Sequence, residues 1–531
     1  MDPTDDTAMD NQPPDRGDLD LWSRDHVLRG HAVAADFAGL GRFGALLGSS
    51  HVRALARDAQ RRKPQLDACD PERRRGDTIN FDSSYHELMT LGLGSGYAAV
   101  PWSGDAAGHQ THAAMVYLLS QVEPGVCCPM TMTYAAYPAL AAARALAHEW
   151  QPRLAAGAYD PARVPVAQKT AATMGMAMTE IQGGSDVRAN RTRAEPADGH
   201  YVLHGAKWFC SAPMSDGFLT LAQAPGGLTC FLVPRWLETG ANAIRLLRLK
   251  DKLGNTANAS AEIEYRGARA FAVGGQGDGV RTIITMVHHT RLDTAMAPAG
   301  LMRAALDEAF HWVTHRTAFQ KRLIDLPLMR RVLADLVLDW EGATALGFHV
   351  AAAFDNPDRT PFARVAVALA KFLNNKRCPQ LVYEAMEVLG GNGYIEDSPM
   401  PMLFRESPLN SIWEGSGNVI CLDILRTLAR DPDAKDMLDA DLDAACGQSR
   451  AYNSALAAWR DDWPGAVDEA DARAFAERLA TLLTASVLLR KSPSEVSEAY
   501  CACRLAPQRT RIAGASALAN TSAILDRLAP E

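Results

Sequence analysis

One island of strand-forming sequence inside a long helical chain is what most limits the fold. Near Thr173 the texture turns from helical to extended: Met174-Gly175-Met176-Ala177-Met178 runs into a glycine turn, Gln182-Gly183-Gly184-Ser185-Asp186. Short strand-like pieces follow at 201–203, 219–223, 228–233 and 261–265, separated by turns such as Pro225-Gly226-Gly227. Such runs, bounded by turn residues, predict one β domain over 172–276.

On both sides of the island the apolar residues recur at helical spacing. Residues 37–55 and 113–119 show it, and the Ala-rich run 134–150 reads as one helix, so 31–171 is expected to be a helical domain. After the island, 280–319 holds either one very long helix or two broken near Pro298, and 327–353 and 362–389 predict two more. With a last helix reaching about 429, residues 277–430 read as a four-helix bundle. Asp431-Pro432-Asp433 breaks the chain, and 431–531 reads as an additional helical domain with helices at 452–459, 472–489, 496–505 and 512–528. Residues 1–30, dominated by Pro, Asp and Gly, are expected to be disordered or extended. The fold class is α+β, mainly helical.

The net charge of −8 and a pI near 6.0 give no global attraction to nucleic acid or anionic lipid. No run of apolar residues is long enough and free enough of charge to span a bilayer, and the acidic N-terminus is the reverse of a signal peptide. A cytoplasmic protein with reduced cysteines is expected. The ten cysteines form no pair of C-x-x-C motifs, so no metal site is predicted. His288-His289 are adjacent and point about 100° apart on a helix, which suits packing better than a shared metal.

One carboxylate stands out. Ser411-Ile412-Trp413-Glu414-Gly415-Ser416-Gly417-Asn418 puts Glu414 on a tight turn at a helix entrance, beside an aromatic wall and free N–H groups suited to an anion or a polar ring edge. By itself it also reads as an ordinary first-turn glutamate favoured by the helix dipole.

Four motifs, taken in order, carry a family resemblance. Met176-Ala177-Met178-Thr179-Glu180-Ile181-Gln182-Gly183-Gly184-Ser185-Asp186 is followed by Gly205-Ala206-Lys207-Trp208-Phe209-Cys210-Ser211. Then come Arg316-Thr317-Ala318-Phe319-Gln320-Lys321, and Glu387-Val388-Leu389-Gly390-Gly391-Asn392-Gly393-Tyr394 with Trp413-Glu414-Gly415-Ser416. Helix block, β domain and four-helix block carrying these motifs over about 80–430 resemble the acyl-CoA dehydrogenase superfamily. The stretches Leu249-Lys250-Asp251-Lys252-Leu253-Gly254-Asn255, Ala385-Met386-Glu387-Val388-Leu389-Gly390-Gly391 and 410–418, with the extra C-terminal region, look like its AidB branch, which is linked to the DNA alkylation response.

The resemblance implies a barrel-like middle domain and an FAD cofactor. It assigns cofactor contacts to Met178, Thr179, Gly184, Ser185, Phe209, Cys210, Ser211, Arg316, Phe319, Gln320, Gly390, Gly391, Ile412, Trp413, Gly415, Ser416 and Asn418. Arg316, Phe319 and Gln320, at i, i+3 and i+4, are expected on one helix face that meets the FAD of a neighbouring subunit. A homotetramer built as a dimer of dimers follows from the resemblance. Glu414 falls at the place of the catalytic base, and Arg291 at a substrate arginine preceded by Thr290. The implied substrate is an acyl-CoA, and the implied electron acceptor an electron-transfer flavoprotein. Two departures stand: Ile181 replaces a proline, and a basic residue is missing among Lys252, Gly254, Thr256 and Asn258.

The AidB resemblance also implies double-stranded DNA as a partner, held by the C-terminal region. Residues 441–531 carry ten basic against twelve acidic residues, so there is no net positive balance. Arg490, Lys491, Arg504, Arg509 and Arg511 are the residues from which a local basic patch could form.

Overall fold

The computed structural model describes residues 11–69, 75–104, 107–507 and 512–530. They fall into two compact units: residues 51–293, and the described residues up to 50 together with those from 294 on.

The first unit joins helices to a curled sheet. Its first hairpin, β1 (Gln65–Cys69) with β2 (Arg75–Asn80), lies in a region expected to be helical. The strand island supplies β3 (Met174–Thr179), β4 (Arg193–Ala197), β5 (His200–Ser211), β6 (Gly217–Ala224), β7 (Gly227–Pro234), the small pair β8 (Trp236–Leu237) and β9 (Gly240–Ala241), β10 (Ile244–Leu249) and β11 (Ser260–Val273). Seven of them form one sheet in the order β10-β11-β7-β6-β3-β5-β4, and further pairings of β11 with β5 and of β6 with β4 curl it on itself like a barrel. Leu203, Cys210, Phe218, Phe231 and Ile263 fill its interior. The strands are longer than the sequence reading gave them, because pairing extends them into polar residues that carry no apolar signal.

The Ala-rich run over 134–150 is two helices, Pro124–Leu140 and Arg144–Leu154, with a turn between. Alanine favours helix without saying where a helix must stop. Here tertiary packing decides: Trp150 is buried against the start of β6, where a Cβ on Gly217 would fall 2.7 Å from its indole ring. The turn redirects the chain so that the ring reaches that glycine.

The helix Gly279–His315 runs unbroken through Pro298. In the second unit its later part meets Pro327–Phe354 through Arg303 over Trp340 and Thr360–Val388 through Asn374 on the Ala295 carbonyl, Gly417–Arg430 packs on Thr360–Val388, and the helices Pro432–Asp443, Arg450–Asp462, Ala472–Lys491 and Ser494–Arg504 follow. Buried carboxylates tie this added layer down: Asp441 meets His349 at 3.0 Å and Arg490 at 2.9 Å, and Glu341 meets Arg527 at 2.8 Å. The helix expected over 512–528 shrinks to Thr521–Leu525. Gly514 and Asn520 have φ of +75° and +55°, and the Gly514 N–H donates to Asp335 at 2.8 Å, so the segment lies as irregular chain against the helix Pro327–Phe354.

Candidate active site

The first of the four motifs is built on paired strand ends. Thr179 of β3 stands opposite Phe209 of β5, and Met176 opposite Ser211. Alternation along β5 leaves Phe209 exposed, sends Cys210 into the barrel core and leaves Ser211 half-buried. Burial pushes the Cys210 thiol up to about 12, so what this residue offers a ligand is backbone rather than sulfur. Met178 is half-buried, and its carbonyl accepts from Asn190 at 3.1 Å.

The turn after β3 is tied to the sheet by a charge that the motif hides. Glu180 is buried and accepts from Lys207 Nζ (2.8 Å), Thr192 Oγ1 (2.6 Å), the N–H groups of Arg191 (2.6 Å) and Thr192 (3.0 Å), and Gln182 (3.1 Å). Burial alone would raise its pKa, but the backbone N–H of Arg191 and the Lys207 ammonium outweigh burial and hold it at about 2. Both residues lie inside the quoted motifs, yet their pairing is legible only in three dimensions. Past the turn, a Cβ on Gly184 would fall 2.5 Å from Thr179 Oγ1, so glycine alone lets this backbone stand so close to the strand end. Ser185 is exposed beside it.

Lys250 is a second residue the sequence reading left without a role. Its ammonium lies 3.5 Å from the Trp208 ring centroid and 4.6 Å from that of Phe209, while Glu262 accepts from it at 2.6 Å. Arg291 is buried on the helix Gly279–His315, and Thr290 before it donates to the Val287 carbonyl at 3.1 Å. Nearby in the same unit Asp293 accepts from His112 (2.7 Å), Tyr97 (3.1 Å) and Thr131 (2.5 Å), and burial holds the neighbouring His109 and His289 neutral, at about 2 and about 4.

In the second unit the third motif is not on a helix face. The long helix ends at His315, and Thr317–Ala318 (β12) pairs with Lys321–Arg322 (β13). Phe319 and Gln320 are the two central residues of that hairpin, with φ of +51° and +64°. Two-residue hairpins ask for positive φ at both positions, a demand usually met by Asn-Gly. The i, i+3, i+4 spacing was therefore misleading, because a helical period cannot be told from a turn once the helix has stopped. Phe319 is 88% exposed at the tip. Arg316 at the base donates to the Asn11 carbonyl (2.8 Å) and lies over the Trp312 ring, and the Asn11 amide accepts from the Thr317 N–H at 2.8 Å.

Gly390, with φ of +59°, ends the helix Thr360–Val388, and neither Gly390 nor Gly391 has any atom within 4 Å of where a Cβ would stand. Gly393 is different: a Cβ there would collide with the Met386 carbonyl at 2.2 Å.

Glu414 sits where the sequence put it, on a turn entering a helix. Ser416 is the N-cap of Gly417–Arg430, and Glu414 and Gly415 both have positive φ, +57° and +100°. A left-handed non-glycine residue costs roughly 1–2 kcal/mol. The buried Lys371 offsets this: its ammonium donates to the carbonyls of Asn410 (3.0 Å), Trp413 (3.0 Å) and Gly415 (2.7 Å). Hydrogen bonds from a charged donor contribute roughly 1.5–3 kcal/mol each, so the strained turn is held firmly. Trp413 is fixed by its indole N–H on Asn410 (2.6 Å), and Asn418 accepts from Arg473 (2.8 Å). Ile412 remains 66% exposed.

Of the five basic residues singled out for DNA, two are engaged in ion pairs within the unit. Arg504 pairs with Asp335 (2.7 Å) and Asp339 (2.8 Å), which raises its pKa despite burial, and Arg490 pairs with Asp441. Burial lowers the pKa of Lys491. Arg509 and Arg511 lie outside the described residues.

Known proteins agree with this layout. Residues 11–161 match the model of the adaptive response protein AidB N-terminal domain, 175–268 the acyl-CoA dehydrogenase middle domain, and 277–429 the acyl-CoA dehydrogenase C-terminal domain. AidB of Escherichia coli (strain K12) is 40% identical over 504 residues, covering 92% of this chain and 93% of that protein. The structure of Caenorhabditis elegans ACDH-11 in complex with C11-CoA superposes with a TM-score of 0.85 at 27% identity, over 94% of this chain and 93% of that one. The apo form of Bd2924 gives a TM-score of 0.83 at 28% identity, over 91% of this chain and 99% of that one. With its three domain matches in order and a relative this similar along nearly its whole length, the chain belongs to the acyl-CoA dehydrogenase superfamily, close to AidB.

Proposed function

We propose that this protein is an FAD-dependent oxidoreductase that desaturates an acyl-CoA thioester between its α and β carbons, with Glu414 as the base. The observation that carries the reading is a pattern of exposure. Phe209, Phe319 and Ile412, all assigned to the cofactor by the motifs, are large apolar side chains left uncovered at 44%, 88% and 66%. Such surface is what a flat, largely apolar ring and its neighbours would cover. The residues fit the cofactor: Thr179 and Ser211 stand at strand ends with hydroxyls to offer, Gly184 and Ser185 are exposed on the turn after β3, and Gly390 and Gly391 leave open space.

When bound, FAD would supply the hydride acceptor. Glu414 would take the α proton, from a turn that Lys371 and the helix cap hold in one shape. Some members of the family resembled carry the base on the long helix just before an arginine; here that place holds Thr290, which has no acidic group and bonds its own helix, so Glu414 is the base the motifs offer. The exposed hairpin tip supports an oligomer in which Phe319 and Gln320 reach the cofactor of a second copy, within a dimer of dimers. An electron-transfer flavoprotein is the proposed acceptor, and the cytoplasm the proposed compartment; among the described residues no helix is long and apolar enough to cross a membrane. The DNA-binding alternative draws less support, since Arg504 and Arg490 already pair with internal carboxylates.

The test is an anaerobic titration of the purified flavoprotein with acyl-CoAs of increasing chain length, read at the flavin absorbance. Because the nematode relative is seen with C11-CoA, the panel includes eleven carbons. At least one is expected to bleach the wild type, and to bleach the Glu414→Gln variant only at a small residual rate. A flavin that no acyl-CoA reduces would refute the reading.

A further inference from the structure

Lys371 is an unusual residue for its place. It lies on the helix Thr360–Val388, is 2% exposed, and no motif singles it out. A buried ammonium is expensive unless each N–H finds an acceptor. Here three backbone carbonyls of one short loop accept from it, and they bracket a single residue: Asn410 and Trp413 on one side of Glu414, Gly415 on the other. One atom thus gathers the loop into an arch, with Glu414 between two of its bound carbonyls in a left-handed conformation that an unsupported glutamate rarely adopts.

The helix carrying Lys371 is itself anchored at that level. Asn374 donates to the carbonyls of Ala295 (2.9 Å) and Ala343 (3.2 Å), and Asn375 to that of Thr294 (2.8 Å). Lys376 adds a bond to Ser411 Oγ at 2.8 Å. Successive residues of one helix turn therefore fasten the helix to its neighbours and the arch to the helix. A charge placed only for stability has no reason to converge on the carbonyls flanking the one carboxylate of the loop.

We propose that Lys371 is the positioning residue of Glu414: by clamping the carbonyls on both sides, it sets where the carboxylate stands when the α proton is removed. This rests on the reading of Glu414 as base. Lys371 acts on backbone and touches no substrate. Its loss moves the base without removing it, and a displacement of about 1 Å at a reacting group is worth about a hundredfold in rate.

The experiment uses the FAD-loaded full chain in four forms: wild type, Lys371→Met, Glu414→Gln and the double variant. The readouts are flavin content and the rate of flavin reduction by the acyl-CoA that reduces the wild type. Lys371→Met is expected to keep its flavin, to reduce about a hundredfold more slowly at saturation, and to need the same acyl-CoA concentration for half-saturation. In the Glu414→Gln background it is expected to add no further loss, the non-additivity of two residues acting as one. A wild-type rate, a loss confined to acyl-CoA affinity, or losses that simply multiply would overturn the proposal. Should Lys371→Met fail to bind flavin, Lys371→Arg carries the same prediction, because a planar fork cannot meet three carbonyls converging on one point; a wild-type rate there overturns it. Should no acyl-CoA reduce even the wild type, the proposed reaction fails, and hydrogen exchange of peptide 409–417 decides about Lys371 alone: faster exchange in the variant supports the clamp, and unchanged exchange refutes it.

Discussion

Replacing Glu180 by glutamine asks how firmly the first of the four motifs is held. The substitution keeps the size of the side chain and removes the charge, leaving the Lys207 ammonium, 1% exposed, with the Leu221 carbonyl at 2.8 Å but no carboxylate. Removing one partner of a buried ion pair costs roughly 3–5 kcal/mol, because the other charge stays buried without compensation. For a unit of about this size each kcal/mol moves the melting temperature by about 2–4 °C, so the transition of the β unit is expected to fall by about 6–20 °C. Differential scanning calorimetry at neutral pH reads this directly. The double variant Glu180→Gln/Lys207→Met is expected to recover much of the loss, since removing both charges removes the uncompensated one. The pH dependence carries its own sign. The folded carboxylate titrates at about 2, below the ordinary 4.5, so its stabilisation is complete above about 4.5 and is lost as pH falls towards 2. The gap between wild type and Glu180→Gln is therefore expected to narrow on acidification through that window. A drop of under about 3 °C at neutral pH, or a gap that widens in acid, would refute the argument.

Gln320→Gly is expected to stabilise the protein by about 1 kcal/mol in chemical denaturation, because it relieves a left-handed side chain at the hairpin tip; a destabilised variant would show that the glutamine makes a compensating bond. Gly184→Ala brings a Cβ to 2.5 Å from Thr179 Oγ1 and pushes the turn off the strand end, so FAD affinity measured by fluorescence quenching is expected to fall about tenfold or more. Unchanged affinity would remove that turn from the cofactor site.

Much of this molecule is legible before any coordinates. The β island is visible because turns punctuate it and its flanks keep a helical period. Glu414 on a helix-entrance turn follows from small residues beside an aromatic one, and family membership follows from four motifs in order. What stayed hidden shares one cause, the dependence of local geometry on distant residues. The Ala-rich run over 134–150 breaks because Trp150 must reach Gly217. The Arg316 motif leaves the helix for a hairpin whose base is pinned by Asn11, some three hundred residues away in sequence. The chain over 512–520 lies flat because a Gly514 N–H finds Asp335. Arg504, basic in sequence, is committed to two buried aspartates.

The sequence by itself determined which residue types fill the motifs: the glycines, the aromatics and the single carboxylate Glu414, each written at its own position. Only the tertiary structure decided how the turn that carries Glu414 is held. Lys371 precedes Glu414 by more than forty residues, and nothing in the spacing of a lysine on a helix says which carbonyls its three N–H groups will find once it is buried.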